Sequence, residues 1–490
     1  MSAKKLKALA AQLEEATSYQ QWRNIAVQHD ELSGAAQWQQ QDETPLYDYQ
    51  ATKNRLADLR GYRKASDNHG LLFALNEGVH GNMGGMGSSA LYKKALLGTK
   101  QLIVDYVDEI DSALQYLASD AVDDIPIEDK LDFLHRANQC YGNSALMLSG
   151  SGMLMYFHLG VVKALWEQNL LPSVITGASG GAIVAATVAS HSNDQLAKIF
   201  DPKYLVMELE REVKEINKLS MLRPSQIPVD VVEAFFERLI PDITFQEAAE
   251  LTGIHVNVSV APAEKHQTSR LLNDIASPNV MLREALMATS AFPGFYPAVT
   301  LAAKDQNGQR KPYLPQRKWI DGSVSDDLPM KRVMRLYGVN HSIVSQTNPV
   351  ALPFIRENRQ QNRKGIMADA LRETTKLWSL TSAKLLSQSL QNNSVASKLV
   401  NFTSTVLAQT YTGDITVLPP KRLHNPSKLL SQRTTAEIIE LIQYGERGTW
   451  PKLEAIRIQT KISKTLQALI KRLESQIIEQ AHQANRSAQG

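Results

Sequence analysis

The sequence predicts an α/β fold: a mostly parallel sheet flanked by helices, with a helical N-terminal domain and a helical C-terminal extension. Residues 145–190 carry the first observation, because short apolar runs there alternate with apolar-periodic segments across turns of small residues. Strand, turn, helix, strand, turn, helix is one βαβ crossover with its next helix. The second observation is that the flanking regions carry apolar residues at helical spacing.

Three regions follow from these patterns. Residues 1–135 form a mainly helical N-terminal domain, residues 141–350 form the α/β domain, and residues 351–490 form a helical extension with a last edge strand near 415–418. Residues 365–407 have the composition of a helix pair that suits a lipid surface or a cap on the sheet equally well. The apolar stripe after Pro451 fits a membrane surface, a partner helix or the protein's own core.

The composition limits the possible partners and compartments. Of 490 residues, 43% are apolar and 21% are charged, and the net charge of +3 is too small to indicate a nucleic-acid partner. The single cysteine, Cys140, excludes an internal disulfide and favours a reducing compartment, so a cytoplasmic location is expected. No run reaches the roughly 18 apolar residues of a spanning helix, so any contact with a membrane or lipid surface is expected to be peripheral.

The second small-residue turn, residues 177–181, has the pattern G-x-S-x-G and is called the nucleophile turn below. It follows a predicted strand at 174–176 and precedes a predicted helix, the context of a serine whose Oγ projects clear of the backbone. Gly177 and Gly181 then have steric roles, and Ser179 is the candidate nucleophile. Outside that context, the same pattern is equally typical of a plain tight turn or a phosphate-binding loop.

The first small-residue turn, residues 149–152, lies about one crossover upstream and is called the oxyanion turn. It follows a predicted strand at 145–148, and its consecutive backbone N–H groups are suited to stabilise a developing oxyanion. A dinucleotide loop is the alternative, but G-x-G-x-x-G fails because Met155 occupies its last position.

The general base is predicted to be a carboxylate, because none of the eleven histidines has a recognisable triad context. Asp321, at the end of a predicted strand and before Gly322, is placed to accept a proton from the serine. An isolated Asp-Gly is more often only a turn. Histidines and acids show no clustered metal-ligand spacing, so no metal and no cofactor are expected.

The motifs together resemble the patatin-like phospholipase family. The resemblance is closest to the branch that has an N-terminal domain of unknown function and includes fungal and plant storage-lipid triacylglycerol lipases and bacterial relatives. It spans about residues 19–452 and rests on the segments LMLSGSGMLMYFHLGVVKAL, GASGGAIVAA, SPNVMLREALMATSAFPGFYPAV, WIDGSVSDDLPMKRV and GVNHSIVSQTNP. It implies a patatin-like sheet in the catalytic domain.

The resemblance also implies roles for individual residues. It places the nucleophile on Ser179, the catalytic carboxylate on Asp321, and the oxyanion donors on Gly150, Ser151 and Gly152. Typical patatins have an acid at the start of the oxyanion turn, where this chain has Ser149. Some members of the branch carry H-x-x-x-x-D as an acyltransferase signature, and no histidine here has an aspartate five residues on.

Residues 288–296 combine small residues with three aromatics, as the wall of an acyl pocket does in the family. A fatty-acyl ester needs a mostly apolar cleft. The pocket candidates are Phe292, Phe295 and Tyr296, and ordinary core packing explains any one of them equally well.

The sequence therefore predicts a serine acyl hydrolase that cleaves fatty-acyl esters of glycerolipids through a Ser179/Asp321 dyad and an acyl-enzyme. The expected partners are a glycerolipid substrate and a peripheral lipid or membrane surface, and oligomeric state is not determined. Two alternatives remain open. One is a lysolipid acyltransferase that uses the same acyl-serine, and the other is a catalytically idle lipid-surface binding protein.

Overall fold

The computed structural model describes residues 2–79, 82–201, 203–204, 206–208, 210–211, 229–264, 268–291, 296–324, 326–348, 351–352, 355, 412–420 and 433–489. They divide into two compact units. Unit 1 comprises residues 1–144, 337–341 and 450–490, and unit 2 comprises residues 145–336 and 342–449. The predicted helix pair at 365–407 lies outside the described residues.

Helices dominate the N-terminal region and cover the sheet. In chain order they are α1 (Ser2–Glu15), α2 (Tyr19–Ser33), α3 (Ala35–Gln40), α4 (Tyr49–Ala65), α5 (Asn68–Gly78), α6 (Gln101–Leu117), α7 (Ile127–Tyr141), α8 (Met155–Glu167), α9 (Gly180–Ala189), α10 (Asn193–Ile199), α11 (Val229–Leu239), α12 (Phe245–Thr252), α13 (Leu282–Thr289), α14 (Met330–Tyr337), α15 (Thr435–Thr449) and α16 (Leu453–Gln489). None of the helices within these ranges combines the length and apolarity that a membrane crossing requires.

The strands are short and mostly buried. They are β1 (Asn143–Leu148), β2 (Val174–Gly177), β3 (His255–Pro262), β4 (Arg270–Leu272), β5 (Leu301–Lys304), β6 (Arg310–Tyr313), β7 (Trp319–Asp321), β8 (Val339–Ser345) and β9 (Ile415–Val417). The run predicted at 145–148 is β1 and that at 174–176 is β2, each longer than predicted by one or two residues. Continuous apolar runs of this kind are typical of strands that are covered on both faces.

The main sheet has seven strands, and its parallel core places the two glycine turns at one edge. The order is β4-β3-β2-β1-β8-β9, and β7 pairs with β3 off this path. β1, β2 and β3 are parallel neighbours, and Leu148 lies opposite Gly177 in the register. The chain therefore leaves β1 into the oxyanion turn directly beside the place where it leaves β2 into the nucleophile turn. β9, at one edge of the sheet, occupies the segment where the sequence predicts a last edge strand.

One expected strand neighbour differs. The alternating run at 255–260 predicts a strand, now β3, whose neighbours in the sheet are the runs ending at Asp321 and Ser345. The first neighbour is correct, because β7 pairs antiparallel with β3. The second is wrong: β8 lies on the other side of β1, where Ser149 N donates to Ser345 O at 3.1 Å. Period and composition identify a strand but carry no information about which strand it pairs with.

In unit 1, the C-terminal helix α16 supplies an apolar stripe to a core shared with α4, α6 and α7. The stripe repeats every three or four residues, so it lies on one face of the helix; its buried members are Ile458, Ile462, Leu466, Leu469 and Leu473. Charge pairs flank it, with Lys461 Nζ 2.9 Å from Asp108 and 3.1 Å from Asp111. Of the three uses open for this stripe, the structure therefore shows packing into the protein's own core.

In unit 2, helix α8, which follows the oxyanion turn, packs directly against α15. The two helices approach so closely that a Cβ on Gly160 would lie 2.8 Å from the carbonyl carbon of Ile442, and one on Gly445 would lie 2.9 Å from Val161 N. Only glycine fits at such a backbone contact. Around it, Leu154 and Tyr156 share an apolar cluster with Leu441 and further α15 residues. α15 therefore covers the helix that begins at the oxyanion turn.

Candidate active site

Ser179 lies on a strained turn between β2 and α9. Its φ is 50° and its ψ is −126°, a combination that non-glycine residues rarely adopt and that is found where the surrounding structure enforces it. The backbone N–H of Ser179 donates to Thr289 Oγ1 at 2.9 Å, and the Thr289 hydroxyl donates to Ser259 O at 2.7 Å. Thr289 is fully buried at the end of α13, so it fixes the turn from the neighbouring helix.

The two glycines of the nucleophile turn are sterically required. A Cβ on Gly177 would lie 2.5 Å from Ala182 N, and a Cβ on Gly181 would lie 2.6 Å from Ser149 O. Contacts this short are closed to any side chain.

Asp321 ends β7 and lies beside Ser179. It is 1% exposed, lies opposite Val260 in the register, and accepts a hydrogen bond from Ser323 N at 2.8 Å. The Ser179 side chain lies within interaction range of this carboxylate. Burial raises the pKa of the Asp321 carboxyl to about 6, while the hydrogen bonds from Ser323 and Ser179 act in the opposite direction. The structure thus brings the two predicted dyad members together, and the carboxylate is a stronger base than an exposed aspartate.

His158 supports the oxyanion turn and does not form part of a triad. Its Nε2 is 3.0 Å from Ser149 O and its Nδ1 is 2.6 Å from Ser345 Oγ. A carbonyl oxygen only accepts, so Nε2 carries the proton and the Ser345 hydroxyl donates to Nδ1. Burial lowers the pKa of His158 to about 4, which keeps the imidazole neutral near pH 7.

The oxyanion turn is held on both sides by buried polar groups. Ser149 Oγ accepts from Thr347 N at 2.8 Å and from Asn348 N at 3.2 Å. Gly150 N donates to Asp327 Oδ1 at 2.6 Å, and the other Asp327 oxygen accepts from Asn348 Nδ2 at 2.9 Å. Asp327 is fully buried, and burial raises the pKa of its carboxyl to about 7, with the nearby Asp321 charge acting in the same direction.

This arrangement differs from the predicted set of oxyanion donors at one position. The Gly150 N–H points at a carboxyl oxygen and is not free to bind a substrate oxygen in this structure. The physical reason is that a buried amide needs an acceptor, and Asp327 provides one. The backbone N–H groups of Ser151 and Gly152 remain as the predicted donors in the turn. Gly152 has φ +50° and begins the short 3₁₀ helix Gly152–Leu154.

The predicted acyl pocket is described only in part. Tyr296 is half-buried, whereas Phe292 and Phe295 lie outside the described residues. The pocket assignment of all three therefore stays a prediction.

Sequence reasoning missed Thr289 and Asp327. Thr289 belongs to the segment interpreted as pocket wall, and nothing local indicates that its hydroxyl accepts a hydrogen bond from a residue 110 positions earlier. The sequence did offer a sign of Asp327, because it is a further acid six residues after Asp321.

The residues that the structure describes contain no group of three or more His, Cys, Asp or Glu able to hold a metal ion.

Comparison with known proteins supplies the family. Residues 146–334 match the model of the patatin-like phospholipases, and residues 1–139 match a domain of unknown function, DUF3336. Triacylglycerol lipase ptl3 of Schizosaccharomyces pombe is 31% identical over 489 residues, which cover 95% of this chain and 98% of that protein. The chain belongs to the patatin-like phospholipase family. Its seven-stranded sheet, flanking helices and helical N-terminal region are therefore the fold of a patatin-like protein.

Two longer relatives match at the same level. Triacylglycerol lipase SDP1L of Arabidopsis thaliana is 31% identical over 94% of this chain, and triacylglycerol lipase 4 of Saccharomyces cerevisiae is 31% identical over 92%. This patatin-like chain spans 59% and 51% of their respective lengths. The segment matched by the family model contains both glycine turns, Ser179 and Asp321.

Proposed function

We propose that the protein hydrolyses fatty-acyl esters of glycerolipids through a Ser179/Asp321 dyad and an acyl-enzyme intermediate. The observation that carries the proposal is the interaction of the Ser179 side chain, on a strained turn, with a buried carboxylate whose pKa is raised to about 6. A nucleophile within hydrogen-bond reach of its base is the arrangement that covalent acyl transfer requires. The names of the similar proteins, triacylglycerol lipases, support the choice of a fatty-acyl ester.

The chemistry has two steps. Ser179 Oγ attacks the ester carbonyl while its proton moves to Asp321, and the carbonyl oxygen becomes an oxyanion stabilised by donors of the oxyanion turn. Collapse of this intermediate breaks the bond to the glycerol oxygen, which leaves as an alcohol with the proton from Asp321. Water then attacks the acyl-serine and gives up a proton to Asp321, and the fatty acid leaves as Ser179 regains its hydrogen.

The N-terminus of α9 also stabilises the negative charge that develops on the carbonyl oxygen. Helix N-termini carry a partial positive charge, and α9 begins at Gly180, directly after the nucleophile.

Glycerolipids with long acyl chains collect at interfaces, so turnover is expected at a peripheral lipid surface. A cytoplasmic location likewise stays a prediction.

The first test combines covalent labelling with product analysis. A fluorophosphonate probe is expected to label the wild type and to leave Ser179→Ala unlabelled, because the probe bonds to the nucleophile oxygen. Asp321→Asn is expected to lose at least about 100-fold in labelling rate and in fatty-acid release, as removal of a general base typically does. Release is followed from emulsified mixtures of triacylglycerol and phospholipid, and the lipid consumed identifies the substrate class.

Two matched variants control for the substitutions themselves. Ser463→Ala removes a buried hydroxyl whose partner is Thr460 O in its own helix. Asp305→Asn changes a half-buried carboxylate that pairs with Lys311 in the β5–β6 turn. Both are expected to label as the wild type does. A wild type that neither labels nor releases fatty acid would reject the hydrolase and favour the idle lipid-binding alternative. Transfer of the acyl group to added lysolipid in preference to water would favour the acyltransferase.

A further inference from the structure

The Ser151 side chain is a buried donor that the fold itself does not use. The residue is 2% exposed, and its Oγ has no hydrogen-bond partner in the part of the chain that the structure describes. Buried hydroxyls in folded proteins are nearly always paired, because an unpaired one loses its hydration without compensation. A buried serine hydroxyl without a partner in the described structure therefore suggests a role other than packing.

The position of this hydroxyl relates it to the nucleophile. A Cβ placed on Gly180, the residue that follows Ser179, would overlap Ser151 Oγ and lie 2.8 Å from Gly152 O. The oxyanion turn and the nucleophile turn therefore touch at Ser151 and Gly180. Since Gly180 is the first residue of α9, its N–H has no acceptor within the helix. The Ser151 hydroxyl thus lies beside the residue that directly follows Ser179 in the chain.

Three nearby backbone donors are already occupied. The Gly150 N–H donates to Asp327, and the Ser179 N–H donates to Thr289. The Gly181 N–H donates to Ala178 O at 3.0 Å within its own turn. Backbone stabilisation of an oxyanion is therefore left to few amides, and a side-chain hydroxyl is a suitable additional donor.

We propose that the Ser151 hydroxyl is a side-chain donor of the oxyanion hole. The inference rests on the proposed hydrolysis at Ser179 and names a further catalytic residue for it. As Ser179 Oγ bonds to the acyl carbon, negative charge develops on the carbonyl oxygen, and the Ser151 O–H donates a hydrogen bond to it. No proton is transferred from Ser151, so the hydroxyl is unchanged when the intermediate collapses.

Replacement of Ser151 by alanine separates this role from packing. Ser151→Ala is expected to lower kcat for ester hydrolysis about 100-fold, the typical effect of removing one oxyanion donor, with KM unchanged. The second-order rate of fluorophosphonate labelling is expected to fall in parallel, because the phosphoryl oxygen takes the place of the oxyanion. The midpoint of thermal unfolding is expected to stay the same or rise, since alanine removes an unpaired buried hydroxyl.

Ser463→Ala is the matched control, because its hydroxyl is buried and paired. It is expected to show the opposite pattern, with a lower unfolding midpoint and an unchanged kcat. Wild-type kcat in Ser151→Ala would overturn the inference, and so would a loss of kcat accompanied by an equal loss of thermal stability, which indicates packing. Failure of the wild type to label or release fatty acid would instead reject the proposed function and, with it, this inference.

Discussion

The two turns that meet at the candidate site are held by different kinds of partner. The nucleophile turn is fixed by neutral groups, since the Ser179 N–H donates to the Thr289 hydroxyl, which in turn donates to Ser259 O. The oxyanion turn is fixed by a titratable one, because its Gly150 N–H donates to the buried Asp327 carboxyl. The backbone position of the nucleophile turn should therefore be insensitive to protons, whereas the position of the oxyanion turn depends on a group whose pKa is raised to about 7.

The largest expected change in kcat comes from removing the hydrogen-bond acceptor at Asp327. Asp327→Leu keeps a similar volume but leaves the Gly150 N–H and the Asn348 amide without this partner. The turn is expected to shift, and kcat should fall about 100-fold, as on losing one oxyanion donor. Asp327→Asn keeps an oxygen for Gly150 and should retain most of the activity. The rates of fatty-acid release and of fluorophosphonate labelling are measured for both variants.

The outcome that contradicts this prediction is informative about Gly150. A faster turnover in Asp327→Leu than in the wild type would mean that the freed N–H binds the oxyanion, which would restore Gly150 to the set of donors. Equal losses in the leucine and asparagine variants would assign the effect to the negative charge of Asp327, not to its hydrogen bond.

A smaller fall in kcat is expected on substitution of Thr289. Thr289→Val preserves shape but leaves the Ser179 N–H unpaired in a buried position, which should lower the free energy of unfolding by about 1–3 kcal/mol. Because the strained turn then relaxes, kcat should fall by about tenfold through misplacement of the serine. Thr289→Ser keeps the hydroxyl and should recover the rate. Chemical denaturation and steady-state kinetics give the two quantities, and a serine variant as slow as valine would refute the hydrogen-bond explanation.

The mildest test is the pH dependence of kcat. Asp321 must be ionised to accept the proton of Ser179, and its pKa is raised to about 6 by burial. Activity should therefore decline as pH falls through about 6, reaching half its plateau when pH equals that pKa. Thr289→Val should keep this acid limb at the same pH, since its contacts are neutral. A limb near pH 4 would show that the carboxylate is more hydrated in solution than in this structure.

The sequence predicted the local part of the fold well, because those signals are local. β1, α8, β2 and α9 follow from apolar runs divided by glycine turns, and Ser179 follows from its place between a strand and a helix. Asp321 needed the family resemblance in addition to Asp-Gly. The expected position of β8 was wrong and the role of Asp327 was missed for one physical reason. They depend on contacts between residues 196 and 177 positions apart in the sequence, and the periodicity of a single sequence does not reveal such pairings.

The glycine contact between α8 and α15 has a consequence for how the chain is divided. The family segment, residues 146–334, contains every residue of the proposed chemistry, yet it ends before β8, β9 and α15. A fragment cut at residue 334 would expose the face of α8 around Gly160 and leave β1 as an open edge, the usual starting points of aggregation. The segment that contains the residues of the proposed chemistry is therefore shorter than the segment that must fold to hold them in place.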